Sequence, residues 1–310
     1  MSFTKQVKEE IIKIRASKTE NISILSAFFR NCVKKDKEGI SLLSESSCIV
    51  DWLKESIKNL YGVNVKIKKI SSNVFNKNDI NMVIIKDKIN IILNDLSVID
   101  NNGEFLDMPK DYIIGDTEEE KAYLKGVFLS KGSINDPKTA QYHLEFLFEN
   151  KFESVLVQRL LNDFDLNSKI LLRDKKYMVY IKDSEKISDF LKLIDAYKAV
   201  MYYENIRVLK EQKNITNRLN NCEQANTDKV VEAANNQIKQ IEFIDRVMGL
   251  DLLDDKLKEA AIYRNKYPDA SLLELSEIIS IESNKKITKS GLNHRFRKIK
   301  EIYDRLKSIE

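Results

Sequence analysis

The 310-residue chain reads as an α+β protein: a duplicated α-β-α-β-β-α unit followed by an all-α segment. Three observations lead there. Only 8 Gly and 3 Pro punctuate the chain, so long helices joined by short turns dominate. Apolar residues recur at helical spacing in some stretches and alternate strictly in others. The same order of elements then returns at an offset of about 99 residues, which aligns Leu25 with Leu124 and signals duplication rather than a solenoid.

In order, helices are predicted at about residues 4–16 and 21–34. "EGISLLSE" reads as a strand, and "CIVDWLKESIKNLYG" as a helix that Gly62 stops. "VNVKIKK" alternates, with Val63, Val65 and Ile67 on one face and Asn64, Lys66 and Lys68 on the other, the pattern of a half-buried strand. "INMVIIK" is another strand, and a helix covers about 88–99. Residues 100–117, with turn residues and Pro109, form a connector. The second copy places helices at about 118–131, 151–164 and 184–195, and strands at about 141–148, 168–173 and 176–182. A long helix follows over 198–219. The Asn- and Gln-dense run "NITNRLNNCEQAN" reads as a linker or hinge before helix resumes at about 226. The domains are therefore expected at 1–213 (repeats about 20–100 and 118–197), 214–253 (linker and connecting helix) and 254–310.

Composition narrows the chemistry. Lys and Arg (52) nearly balance Asp and Glu (48), so charge distribution rather than net charge must indicate a partner. Cys32, Cys48 and Cys222 are an odd set without a CxxC pair, which argues against a disulfide framework or a zinc site and for reduced thiols in a cytoplasm. The start, "MSFTKQVKEEII", has no uncharged apolar core of a signal peptide, and no stretch approaches the length of a membrane span. No cofactor is implied, and no membrane partner.

Charge is distributed unevenly at the end of the chain. Asp254–Asn284 holds four Lys/Arg against seven Asp/Glu, whereas Lys285–Glu310 holds nine against three. Three helices fit 254–310. "DDKLKEAAIYRNKYP" is ended by Pro268. "DASLLELSEIIS" sets Leu272, Leu275 and Ile279 at helical spacing with Ser271 as N-cap. "TKSGLNHRFRKIKEIYDRLKS" aligns Leu292, Phe296, Ile299, Tyr303 and Leu306. At 100° per residue, Ser290, His294, Arg297 and Glu301 fall opposite that stripe, with Asn293 and Lys298 on its flanks. Such residue types near a helix N-terminus read base edges in a major groove, while Lys285, Lys286 and Lys289 suit phosphates. Double-stranded DNA is the implied partner, through a helix-turn-helix whose turn, about Ser280 to Thr288, is longer than the simple motif allows. A solvated face, or a helix docking on a protein such as RNA polymerase or another regulator, gives the same pattern. His143, the other histidine, falls on a strand and suits a structural place.

"YLKGVFLSKGSI" resembles the LAGLIDADG helix of homing endonucleases, with "ILSAFFRNCV" as its counterpart in the first repeat. Gly126 and Ala27 occupy equivalent places, where small residues let two helices approach. The form resembles more closely that of the WhiA family of bacterial DNA-binding regulators. "SFTKQVKEE", "NRLNNCEQAN", "DASLLELSEI" and "ITKSGLNHRFRKI" are similar to that family's sequences, and together they span nearly the whole chain. The resemblance implies a LAGLIDADG-like scaffold without nuclease function, joined to a helix-turn-helix DNA-binding domain. It also implies a role in transcription regulation tied to cell division, chromosome segregation and, in some lineages, sporulation, at the nucleoid.

In active LAGLIDADG nucleases each such helix ends in an acid that holds Mg²⁺. The matching positions here are Cys32 and Lys131, and neither suits a cation that wants hard oxygen ligands. Asp36 and Asp136, four or five residues on, are the acids left to a metal-dependent endonuclease as the alternative reading. No catalytic residue is expected. Lys66, Lys68, Lys169 and Arg173 would share one saddle of the sheets, where DNA contact and a solvated lysine face read alike.

Overall fold

A computed structural model describes residues 2–36, 39–70 and 80–309, with the Asp36 side chain also outside the description. The chain divides into two compact units, Met1–Lys210 and Glu211–Glu310.

The first unit opens with α1 (Phe3–Ile11) and carries two copies of one motif. The first copy runs α2 (Lys18–Cys32), β1 (Lys34–Asp36), β2 (Gly39–Ser44), α3 (Ser47–Tyr61), β3 (Lys66–Ile70), β4 (Ile80–Ile85) and α4 (Ile89–Asp95). The second runs α5 (Thr117–Lys131), β5 (Gly132–Ile134), β6 (Leu144–Phe148), α6 (Lys151–Asp163), β7 (Lys169–Arg173), β8 (Lys176–Ile181) and α7 (Ser184–Leu193). Each copy forms an antiparallel four-stranded sheet, ordered β1-β2-β4-β3 and β5-β6-β8-β7. The expected α-β-α-β-β-α order thus gains one three-residue strand after its first helix in both copies. Such strands are too short to show alternation. Gly62 ends α3 with a positive φ of 65°, as its place in the sequence requires.

One expected strand face differs. Lys66–Ile70 is exposed throughout, and Ile67 is 41% exposed instead of half-buried. Among the described residues β3 has one neighbour, β4, and so lies at a sheet edge. Of the alternating set, only Val63 is buried, with Val65 packed against the core just before the strand.

The two copies share one apolar core, and α2 packs along α5 at its centre. The approach is close because Gly126 has no side chain. A Cβ there would overlap the Ile24 carbonyl oxygen and stand 2.8 Å from the Ala27 Cβ. Next to this contact lies a buried ion pair. Arg30 of α2 donates through Nε to Glu153 of α6 at 3.2 Å, and both side chains are 4% exposed. Tyr123 of α5 donates its hydroxyl to the same carboxylate at 2.6 Å, and Asn31 donates to it at 3.2 Å. Burial and the adjacent Glu153 charge hold the Tyr123 phenol well above its ordinary pKa. The remaining Arg30 donors take the carbonyls of Ser97, Leu106 and Asp107, so the connector between the copies is fixed to the helix pair.

From the first unit α8 (Tyr197–Met248) runs into the second as one helix. The break expected within 214–226 does not occur. Asn and Gln weaken a helix by only a few tenths of a kcal/mol each, roughly, relative to good formers. No Gly or Pro interrupts the chain before Gly249, where φ is 80°. Thr216 and Thr227 cap internal carbonyls, and Gln224 donates to Asp228 one turn on. In the second unit the end of α8, with Ile241 and Ile244, packs with α9 (Asp255–Lys266), α10 (Leu272–Ser283) and α11 (Lys289–Lys307).

Two outcomes are expected. Gly126→Ala should destabilise the protein by about 1–3 kcal/mol despite alanine's better helix propensity, because the backbone of α2 cannot yield without moving the core. A urea midpoint equal to that of the wild type would refute the close approach. Arg30→Met should cost about 3–5 kcal/mol by leaving Glu153 buried without its cation. Adding Glu153→Gln should recover part of that loss in the same denaturation measurement.

Candidate nucleic-acid interface

Cys32 is the last residue of α2 and Lys131 the last of α5, so both stand at the same end of the central helix pair. Each helix passes directly into the first strand of its sheet. Lys8 of α1 joins them. Burial lowers its ammonium from the usual 10.5 to about 8, the charge of Lys131 pushes the same way, and Cys32 and Glu45 oppose it. Burial raises the Cys32 thiol, with Lys131 and Lys8 opposing. At neutral pH the thiol is therefore protonated, and the helix ends carry cationic groups.

These residues do not fit Mg²⁺, which requires several hard oxygens in octahedral array. Asp136 is engaged elsewhere. Its carboxylate accepts from the Tyr202 hydroxyl at 3.2 Å and from the Lys138 amide at 2.9 Å, which makes it a turn residue tied to α8. The other acid considered, Asp36, has its side chain outside the described residues. Among the described residues, no group of three or more His, Cys, Asp or Glu side chains is arranged to hold a metal ion.

The sheets turn one face away from the helices. Ile67 pairs with buried Val83, so Lys66 and Lys68, which pair with Ile84 and Met82, lie on the opposite face of the first sheet. In the second sheet Ile170 pairs with buried Val179, and Lys169 and Arg173 lie on the corresponding face. His143 shares this sheet region, stacked on Tyr180 with its Nε2 3.0 Å from Glu145, as a structural residue would be.

The second unit presents the other basic surface. Ser271 caps α10 in a reciprocal arrangement with Glu274, and Thr288 caps α11 by accepting from the Gly291 amide at 3.1 Å. The connection is shorter than expected. α10 continues to Ser283, Asn284 turns the chain with a φ of 54°, and α11 begins at Lys289. The Ser280 hydroxyl accepts from the Ile287 amide at 2.9 Å, fixing the turn.

On α11, Leu292, Phe296 and Ile299 are buried, and Tyr303 and Leu306 pack beside them. Lys285, Lys286, Lys289, Ser290, His294, Arg297 and Lys298 are exposed, and Asn293 is half-buried. The predicted set thus gathers along the first half of one helix and the turn before it. Arg295 is drawn out of the set, because its guanidinium bonds Glu259 at 2.7 Å and the Lys256 carbonyl.

Sequence reasoning missed Arg264, which is 1% exposed. It donates to Gln237 at 3.0 Å and to the carbonyls of Tyr267, Pro268 and Ala270, and its guanidinium lies over the Phe296 ring. It thereby clamps the α9–α10 turn to α11. Its only signal in the sequence is a cation on the apolar side of α9, between Ala260 and Ala261 and the chain break at Pro268. Among the described residues no helix is long and apolar enough to cross a membrane.

Comparison with known proteins agrees with this architecture. Residues 20–99 match the WhiA N-terminal LAGLIDADG-like domain, 120–213 the WhiA LAGLIDADG-like domain, and 216–303 the WhiA C-terminal HTH domain. The chain is 38% identical over 315 residues to the probable cell division protein WhiA of Exiguobacterium sibiricum, covering 100% of this chain and 98% of that one. It is 37% identical over 314 residues to the protein of the same name from Bacillus cytotoxicus, with the same coverage. The crystal structure of full-length DUF199/WhiA from Thermatoga maritima superposes with a TM-score of 0.60 at 25% identity, covering 98% of this chain and 99% of that one. Two LAGLIDADG-like repeats followed by a helix-turn-helix domain, matched end to end by such relatives, make this chain a member of the WhiA family.

Proposed function

We propose that the protein is a sequence-specific, DNA-binding transcriptional regulator in cell division, acting at the nucleoid in the cytoplasm, with nuclease chemistry lost. The observation that carries this reading is the row of exposed polar and cationic side chains along the first half of α11, held by a buried apolar stripe beneath it. Arg297 would bond a guanine edge, and Asn293 an adenine edge, with Ser290 and His294 between them. Lys285, Lys286, Lys289 and Lys298 would neutralise phosphates and release counterions, which sets register and makes affinity salt-dependent. The names of the relatives support the link to cell division. Chromosome segregation, and sporulation in some lineages, are the finer roles that the family resemblance suggests.

Loss of cleavage rests on charge. Phosphodiester cleavage by two metals needs carboxylates that hold the cations on the attacking and leaving oxygens. The two helix ends offer a thiol and lysines instead.

Two measurements test these readings. In a gel-shift titration against a bound promoter fragment, Arg297→Ala should cost about 1–3 kcal/mol and relax selectivity. Lys286→Ala should weaken all duplexes alike and reduce the salt slope by about one. Unchanged affinity after Arg297→Ala would count against the base-reading role. Supercoiled plasmid incubated with protein and Mg²⁺ should stay intact. Site-specific cutting that disappears with Asp136→Asn would overturn the loss of nuclease activity.

A further inference from the structure

Among the described residues β7 has one neighbour, β8, so the far edge of the second sheet is open. The strand is apolar at its centre and basic at its ends, from Lys169 through Ile170, Leu171 and Leu172 to Arg173. Asp174 and Lys175 join it to β8 in a two-residue turn with a positive φ at both, 50° and 65°. In such a hairpin the closing pair, Arg173 and Lys176, exchanges backbone hydrogen bonds, and the pattern then alternates along the ladder. Lys169, Leu171 and Arg173 therefore direct their amides and carbonyls to β8. Those of Ile170 and Leu172 point outward, at an edge of the kind that sheets usually protect.

The side chains along this edge have a definite order. Leu171 pairs with Met178 and Met178 with Leu147, which makes an apolar row across the face turned away from the helices. Leu147 is 39% and Leu171 49% exposed. The matching row of the first sheet, Leu43, Met82 and Lys68, ends in a lysine, so the apolar edge is particular to the second copy. On the other face Leu172 is 62% exposed, and α6, which packs along β7, exposes Phe152 and Val155. Lys169 and Arg173 bracket the row. Arg173 meets Asp174 at 3.7 Å with both side chains mostly in solvent, a pair of little strength. The two cations would suit a DNA phosphate, but a phosphate gains nothing from the apolar row and is repelled by the outward carbonyls. A second copy of the chain fits no better. Antiparallel pairing of β7 with itself about Leu171 would set Lys169 opposite Arg173 twice, and like charges directly opposite are unfavourable.

We propose that β7 accepts an extended segment of a partner protein as a fifth, antiparallel strand, and that this segment reads acid, three apolar residues, acid. The central residue continues the row of Leu147, Met178 and Leu171. Its two neighbours lie opposite Ile170 and Leu172, take their outward backbone hydrogen bonds and set apolar side chains beside Leu172. The flanking acids then stand opposite Lys169 and Arg173. The site draws on no residue of α11.

The test uses the full-length protein and a fluorescein-labelled peptide with Glu-Val-Leu-Val-Glu at its centre, followed by anisotropy at constant ionic strength. Binding should be saturable. N-methylation of both valines removes two backbone donors and no charge, and should weaken binding about tenfold or more. Leu172→Pro removes an outward amide at an edge, where proline is tolerated, and should do the same. Lys169→Glu combined with Arg173→Glu should lose the acidic peptide and bind instead one centred on Lys-Val-Leu-Val-Lys, which preserves the test if Leu172→Pro fails to fold. No saturable binding, equal binding of the N-methylated peptide, or unchanged preference in the charge-reversed protein would overturn the proposal. So would displacement of the peptide by a nonspecific duplex whose own affinity falls in the charge-reversed protein, which would give the strand to DNA. A dimer in sedimentation equilibrium that Leu172→Pro dissolves would give it to a second copy and would overturn the proposal equally.

Discussion

The first unit depends on the contact of α2 with α5, where a glycine meets a helix carbonyl. Two copies of a motif that each bury one face of a sheet need a shared inner wall, and the two helices form it. Hydrophobic burial supplies most of the driving force, but shape sets the distance. With Gly126 against Ile24 and Ala27, the helices lie close enough for both sheets to share one core. The buried Arg30–Glu153 pair then adds direction to a largely apolar contact. It joins α2, α5 and α6 to the connector through hydrogen bonds that tolerate no slip in register.

That same geometry brings the two helix ends together. In a metal-dependent nuclease this convergence concentrates negative charge. Here Cys32, Lys131 and Lys8 reverse its sign. A fold can therefore keep its architecture while its chemistry changes, because the inner wall and the helix ends are held by different residues. In the proposed function the base-reading role lies in the second unit, where Arg264 and two capped helices stiffen a small helical core under α11. Rigid support matters there. A side chain that reads a base edge must hold its position without further ordering cost on binding.

Much of this was legible in the sequence, for physical reasons that also explain the gaps. Alternation over Val63–Lys68 revealed β3, short strand segments revealed β2, β4, β6, β7 and β8, and the stripe from Leu292 to Leu306 marked which side of α11 faces out. β1 and β5 escaped because three residues carry no period. The edge position of β3 was invisible, since alternation is the same at an edge and in the middle of a sheet. The Asn-rich part of α8 was misread because low propensity was weighed above the absence of any Gly or Pro. Lys8 and Arg264 depend on what the rest of the chain packs around them, and a linear pattern does not encode that. Cys32 and Lys131 stood out against the resemblance because a motif with a fixed chemical task makes a non-acidic residue there conspicuous.

The middle of α8 has a different consequence. From Glu211 to Ala233 every residue is exposed. Little of this stretch gains from burial, so most of its helicity rests on backbone hydrogen bonds and neighbours one turn away. Amides there open at little more than the local helix–coil cost, and they exchange with solvent and meet proteases far sooner than those of either core. Mutational drift is equally free. Almost any residue is acceptable on any side of such a rod except proline and glycine, so selection there acts on what the chain must avoid.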